Sequence, residues 1–523
     1  MATRTISNSG VTFDGISLQA PAPPALTRRS SIQVALLSGS RAAGQVLNAL
    51  ANIFIVRYLT QAEYGTYRQV YLLYSTLLIA GEFGFIESLY YFIPHQPAKR
   101  AVFLRQSVFV IGFMQVVLGV LLTQFGPAIG SYFHNLELPA YMPLLAIYLG
   151  LSVMTRVWES ELIAEKRVPL ASLISGGSET IKVGLMFLVL FVAPGIRPLL
   201  MAMVAAAGLK FVAFVVFLGK EFRWFANAGP LADGLPQWSY AAALWIPGFI
   251  NTVAGQVHQY IVGYYFDPVH YAIYAVACFQ LPFLAIFTNS VAEVLLVRAT
   301  EYHSRGGNTE LYQLWCNACL KSLMVLVPVA VGLMVVAKPL IALVFTERYL
   351  ASVPLFRVIV LGLIFSAVFQ DPMFRACAAM RTYSFFYVVR ALLNLGLGIM
   401  LVKFWGLWGA ALSTVAALAI VNIGQLFPIA TLLGVPFSRV LPWRGIAKVA
   451  LCTLAAFPLA AACVRAISSP GPALLVALPV FAAGYLMLAV KLSLISRGTI
   501  SLLLLEAKSR LPWMAIPRPK AGC

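Results

Sequence analysis

The feature that limits this chain most is a succession of apolar stretches, each about twenty residues long, filling most of its 523 residues. A helix needs about that many residues to cross the ~30 Å of hydrocarbon in a bilayer. Strands of a membrane barrel are about half as long and alternate in polarity, which these stretches do not. Charged residues make up only 11% of the chain, where a soluble protein carries about a quarter. Such a chain cannot cover itself with polar groups and must face lipid. Fourteen candidate spans lie between residues 33 and 494. The expected fold is an all-α polytopic membrane protein with about fourteen transmembrane helices. Even the longest connections, 298–317 and 220–236, are too short for an extramembrane catalytic domain.

One stretch occurs twice. After the first apolar segment the chain reads IVRYLTQAEYGTYRQVYLLY, and IVGYYFDPVHYAIYAVACFQ follows some two hundred residues later. Ile55-Val56 matches Ile261-Val262 at a spacing of 206, Tyr64 and Tyr67 match Tyr271 and Tyr274 at 207, and Glu87 matches Glu293 at 206. An internal duplication follows as the expectation. It divides the chain into an N-lobe at 31–220, a linker at 221–236, a C-lobe at 237–433 and an added helix pair at 434–496. Residues 1–30, rich in Ser, Thr, Pro and Gly, and 497–523 are expected to be cytoplasmic tails, the first disordered.

Orientation follows from loop charge. With both termini inside, the inner segments carry 23 Lys and Arg and the outer ones six, as the inside bias of cationic loops requires. The net charge of +19 has the same origin, together with attraction to anionic membrane lipids; no soluble domain exists to carry a nucleic-acid interface. The seven Cys are scattered without ligand spacing and read as packing residues, with no metal site.

Charged groups near the middle of a span are the informative ones, since each costs at least about 2.5 kcal/mol against lipid. Arg41, Lys182, Lys210 and Arg390 are such cations, and Glu179 is the central anion. Glu179 and Lys182 stand three apart on one helical face, so they either neutralise each other or serve a ligand. Arg41, Lys210 and Arg390 have no acid close by in sequence, and unpaired cations in a wet cavity attract an anion such as phosphate. Span 7 carries Asn251, Thr252, Gln256, His258 and Gln259, suited to sugar hydroxyls or, equally, to bonds between helices. Glu87 and Glu293, toward the inner ends of spans 2 and 8, can close a gate with Arg156, Arg298 or Arg375, or form ordinary helix-end pairs. Glu179 and Glu82 are the acids deep enough to couple a proton or Na⁺; no other cofactor is expected. Pro247, Pro282 and Pro328 each remove a backbone donor within an apolar stretch, so a kink or opening is expected at each.

Residues 55–65 (IVRYLTQAEYG), the following Gly84-Phe85, the counterpart at 264–274, Val344-Phe345-Thr346-Glu347-Arg348-Tyr349 and the run Gly406 to Ala411 are similar to the oligosaccharide flippases of the multidrug/oligosaccharidyl-lipid/polysaccharide exporter superfamily. The resemblance covers roughly residues 31–433. It implies two six-helix lobes around a central cavity that opens alternately to each side of the bacterial inner membrane. It also implies an undecaprenyl-pyrophosphate-linked oligosaccharide as cargo; by depth and charge, and not by a family motif, Arg41, Lys210, Arg390 and Lys182 are the residues expected to receive its pyrophosphate. A monomer working beside the polysaccharide polymerase machinery is the expected assembly. Fourteen helices also resemble the lipid II flippases, which are the alternative. Drug efflux is disfavoured because span 1 carries Arg41 and no acid. A membrane glycosyltransferase is disfavoured because the outer loops carry single acids at most, such as Glu137 and Asp267.

Overall fold

The computed structural model describes residues 28–226, 234–279, 281–467 and 469–494. Residues 1–27 of the expected N-terminal tail, 227–233 of the expected linker and the whole of the expected tail 497–523 lie outside the described residues. All secondary structure among the described residues is helical, because in lipid each backbone N–H and C=O has to find its partner within its own segment. The first half supplies α1 (Arg28–Tyr58), α2 (Gln61–Glu82), α3 (Phe85–His95), α4 (Arg100–Gln124), α5 (Gly126–Tyr132), α6 (Leu138–Ala164), α7 (Val168–Val192) and α8 (Ile196–Ala226). The second supplies α9 (Leu235–Tyr265), α10 (Pro268–Ala277), α11 (Pro282–Ser304), α12 (Asn308–Val335), α13 (Ala337–Phe345), α14 (Val353–Val360), α15 (Gly362–Ser366), α16 (Gln370–Ala376) and α17 (Met380–Leu433). Helices α18 (Trp443–Ala466) and α19 (Pro470–Lys491) complete the chain.

Eleven helical stretches among the described residues are long and apolar enough to cross a membrane. Their outer faces are bare: Phe109, Val192 and Phe404 are 70, 76 and 73% exposed, which only lipid can cover. Three differences separate this number from the fourteen spans read in the sequence. Helices α1 and α9 are 31 residues long, but their polar residues, Gln45, Asn48 and Asn52 in one and Asn251, Gln256 and Gln259 in the other, hold them below the same apolarity. Helix α17 covers two expected spans in 54 residues and breaks at Gly406, where φ is 57° and ψ −135°.

Of the three prolines at which a kink or opening is expected, Pro282 marks a full break, opening α11 after α10 has ended at Ala277. Pro247 and Pro328 lie inside α9 and α12. Span 2 breaks instead between α2 and α3, where Phe83 and Gly84 are both left-handed, with φ of 46° and 72°.

The repeated joint has a local cause. Thr60 caps α2: its side chain accepts from the Glu63 backbone N–H at 3.3 Å, and Glu63 accepts in return from the Thr60 N–H at 2.9 Å. This reciprocal box satisfies two donors that the first turn leaves open. Asp267 does the same service for α10, accepting from the His270 N–H at 2.8 Å. One turn further on, Tyr64, Tyr67, Tyr271 and Tyr274 are all buried. The two capped helices pack on each other so closely that a Cβ on Gly65 would stand 1.8 Å from the Pro268 carbonyl oxygen.

Helices α2 and α3 meet α9 along the rest of this seam. Gln256 Nε2 donates to Ser75 Oγ at 3.0 Å, Thr76 donates to Gln256, and the Tyr260 hydroxyl donates to Thr76 at 2.7 Å. Toward the far end Trp245 Nε1 donates to the Ile79 carbonyl at 2.8 Å, and Gln237 Nε2 donates to Ser88 and Ser107 at 2.8 and 2.9 Å. There Gly84 touches the Ala241 carbonyl, 2.2 Å from where a Cβ would be. Helices α18 and α19 pack against α12 and α13 outside this arrangement, with Tyr485 donating to the Met324 carbonyl at 2.8 Å.

Candidate functional site

A cavity of about 240 Å³ lies among α2, α6, α7 and α8. Its walls concentrate charge at spacings set by the helix repeat. Arg156 and Glu159 stand three apart on α6, Glu179 and Lys182 three apart on α7, and Lys210 comes from α8. Lys182 Nζ lies 2.6 Å from Glu179 Oε2, which also accepts from Asn48 Nδ2 of α1 at 2.8 Å. Lys210 pairs with Glu159, and Arg156 with Glu82 of α2. Three bases thus meet three acids, each pair within one apolar bundle, where separating the partners would leave an uncompensated charge. Tyr74 and Tyr148, with ring centroids 4.8 Å apart, line the same space.

A second cavity, of about 250 Å³, lies among α11, α15, α16 and the two arms of α17. Asp371 accepts from the Tyr387 hydroxyl. Arg390 lines the cavity without an ion pair or hydrogen bond among the described residues, and its Nε is buried without a partner. Asn289, Gln370, Asn422 and Gln425 supply amides. Gln370 Nε2 is committed to the Asn422 carbonyl at 3.2 Å and Asn422 Nδ2 to the Leu418 carbonyl at 2.8 Å. Gln425, only 5% exposed, has no hydrogen bond among the described residues. The wall is completed by Phe365, Phe369 and Phe386.

These positions revise several expectations. Lys210 is not an unpaired cation: its acid, Glu159, is 51 residues away in sequence and meets it across α6 and α8. Arg156 pairs with Glu82 rather than with Glu87 or Glu293. Glu87, Glu293, Arg298 and Arg375 are exposed and form no ion pair among the described residues, so the expected gate contacts are absent from this conformation. Lys210 and Arg390 line two different cavities, and Arg41 lines neither. Arg41 is exposed on α1, without an ion pair or hydrogen bond among the described residues, on the helical line that continues through Gln45 and Asn48.

Most of the polar stripe of span 7 is used between helices. Gln256 belongs to the seam with α2. The Tyr274 hydroxyl and His258 Nδ1 are 2.9 Å apart, and Gln259 accepts from the Tyr271 hydroxyl at 3.4 Å. Thr252 donates to the Gly248 carbonyl of its own helix. Asn251 has no hydrogen bond among the described residues.

Glu159, Asp371, Gln425 and Arg68 were not singled out by sequence. Arg68 lies on α2, its guanidinium 5.6 Å from the Tyr71 ring centroid and its Nε buried without a partner. The signal for Glu159 was its i, i+3 spacing from Arg156. For Arg68 it was the position two turns inside the capped start of α2, which makes it a residue of the span and not of the loop.

A family model described as "Polysaccharide biosynthesis protein" matches residues 54–354, more than half of the chain. No curated protein matches the sequence. Among solved structures, one described as the lipid II flippase MurJ in an inward closed conformation superposes with a TM-score of 0.67 at 17% identity, over 87% of this chain and 98% of that one. An inward-facing multidrug resistance MATE family transporter superposes with 0.57 at 14% identity, over 75 and 94%. A transporter of the same MOP superfamily from Pyrococcus furiosus superposes with 0.51 at 14% identity, over 77 and 95%. At these identities the likeness is one of fold.

Proposed function

The chain belongs to the family of polysaccharide biosynthesis proteins within the MOP superfamily of transporters, and from that premise we propose that it is an alternating-access flippase for a polyprenyl-diphosphate-linked glycan. It works as a carrier and not as an enzyme, moving its cargo from the cytoplasmic to the outer leaflet of the bacterial inner membrane with both termini inside. The observation that carries the reading is the conjunction of the family match with a fold that covers 98% of a lipid II flippase. The fourteen-span topology is part of the proposal: α1, α9 and the second arm of α17 join the eleven long apolar stretches. So is the division into six-span halves at 31–220 and 237–433, followed by the pair at 434–496.

Arg41 is the cation best placed to meet the diphosphate. An unpaired guanidinium facing lipid is costly, so its exposure on α1, which packs on α7 and touches α11 of the other half, supports a wet cleft between the halves. Lys182, Lys210 and Arg156 can join it once their acids are displaced or protonated, which gives Glu179 and Glu82 a place in ion coupling.

Two cargoes fit the class. The superposition favours a lipid II-like glycolipid, and the description of the family favours an oligosaccharide repeat unit. Deleting the gene and measuring the leaflet distribution of both precursors separates them. Accumulation of one precursor on the cytoplasmic side, reproduced by Arg41→Ala, is the expected result. Normal delivery of both in the deletion strain would defeat the reading.

A further inference from the structure

We propose that the second cavity is a saccharide site that takes one uncharged pyranose ring. Its polar groups rule out the simpler occupants. A phosphate needs a net positive wall, and here the one cation, Arg390, shares the wall with Asp371. A metal or other cation would meet the Arg390 guanidinium. A lipid chain would leave the amides unsatisfied, and Gln425 already lacks a partner while only 5% exposed. Its amide atoms are not among the fully buried unpartnered ones, so the little exposure Gln425 keeps is at the cavity wall, open to a ligand that supplies both donor and acceptor.

A sugar does so. Asp371 keeps an oxygen beyond the one engaged by Tyr387, Arg390 offers donors, and Gln425 and Asn289, neither bonded to the protein among the described residues, offer one amide each. Phe365 and Phe386 supply apolar surface for the C–H face of a ring. The volume of about 250 Å³ lies just below the usual range for small-molecule sites, roughly 300 Å³ upward, and suits one ring rather than a chain. That the ring belongs to the carried glycan, and is not a free sugar, rests on the flippase reading.

The test uses full-length protein in lipid nanodiscs and saturation-transfer NMR. The probes are free glucose, galactose, mannose and N-acetylglucosamine, inorganic diphosphate, and undecaprenyl diphosphate with and without one N-acetylglucosamine. At least one hexose should bind, unaffected by diphosphate, and Gln425→Leu and Asn289→Ala should each weaken it about tenfold. Asn289 is exposed, so its variant tests the site without disturbing the fold. The glycolipid should bind more tightly than bare undecaprenyl diphosphate, and that advantage should vanish in Gln425→Leu. No hexose signal, or binding indifferent to both substitutions, overturns the site even if the glycolipid binds. Gln425-dependent hexose binding with neither polyprenyl compound bound upholds the site and overturns the flippase reading.

Discussion

The two cavities are nearly equal in size, one among α2, α6, α7 and α8 and the other among α11, α15, α16 and the two arms of α17. Their chemistry differs. The first has three bases, each paired with an acid, two of the acids being on its wall; the second has one acid and one base, not joined as an ion pair, among four amides. The meeting of four helical segments thus determines where each cavity forms, while the side chains lining it decide what it can hold. A pool of cations chosen by position in an apolar stretch alone merges the two, because Lys210 and Arg390 each fall near the middle of one yet have opposite surroundings. Lys210 is closed by Glu159, and Arg390 is open to whatever enters.

The largest test of this contrast is Lys210→Met. It leaves Glu159 unpaired in a bundle interior and should lower stability by about 3 kcal/mol, read from thermal unfolding of the purified protein. Adding Glu159→Gln should restore most of the loss. A harmless Lys210→Met would mean that the first cavity is not held by pairing at all, and the distinction between the cavities would collapse.

In the second cavity, Asp371→Asn weakens the acceptor of the Tyr387 hydroxyl and should cost about 1.5 kcal/mol. A double-mutant cycle with Tyr387→Phe checks it, since a zero coupling term would show that the bond does not matter.

Gln425→Leu should cost less. Its amide makes no hydrogen bond among the described residues and keeps access to the cavity, so removing it should change the stability of the ligand-free protein by less than about 1 kcal/mol, although it abolishes the proposed sugar contact. A larger loss of stability would show that the amide has a structural partner.

Arg41→Ala has the smallest expected effect, within about 0.5 kcal/mol, because the side chain makes no ion pair or hydrogen bond among the described residues. Transport should nevertheless fall. If stability dropped as far as in Lys210→Met, Arg41 would belong with the paired cations of the first cavity.

Much of the fold could be read directly. Apolar length announces spans, and the Thr60-to-Glu63 and Asp267-to-His270 spacings mark where α2 and α10 begin, since a cap is a local interaction. The breaks were harder. Pro247 and Pro328 are tolerated inside α9 and α12, while Phe83, which no propensity marks, turns left-handed where Gly84 must approach the Ala241 carbonyl. The span 7 stripe was recognisable as polar, but its partners Ser75 and Thr76 lie about 180 residues earlier.

By itself the sequence determined the medium, the helical class and the joints that follow α1 and α9, because hydropathy, length and capping act over a few turns. Only the tertiary structure decided which charges meet, because partners such as Lys210 with Glu159 and Arg156 with Glu82 lie 51 and 74 residues apart. Whether a buried cation is available to a ligand depends on those meetings, which no local pattern of residues encodes.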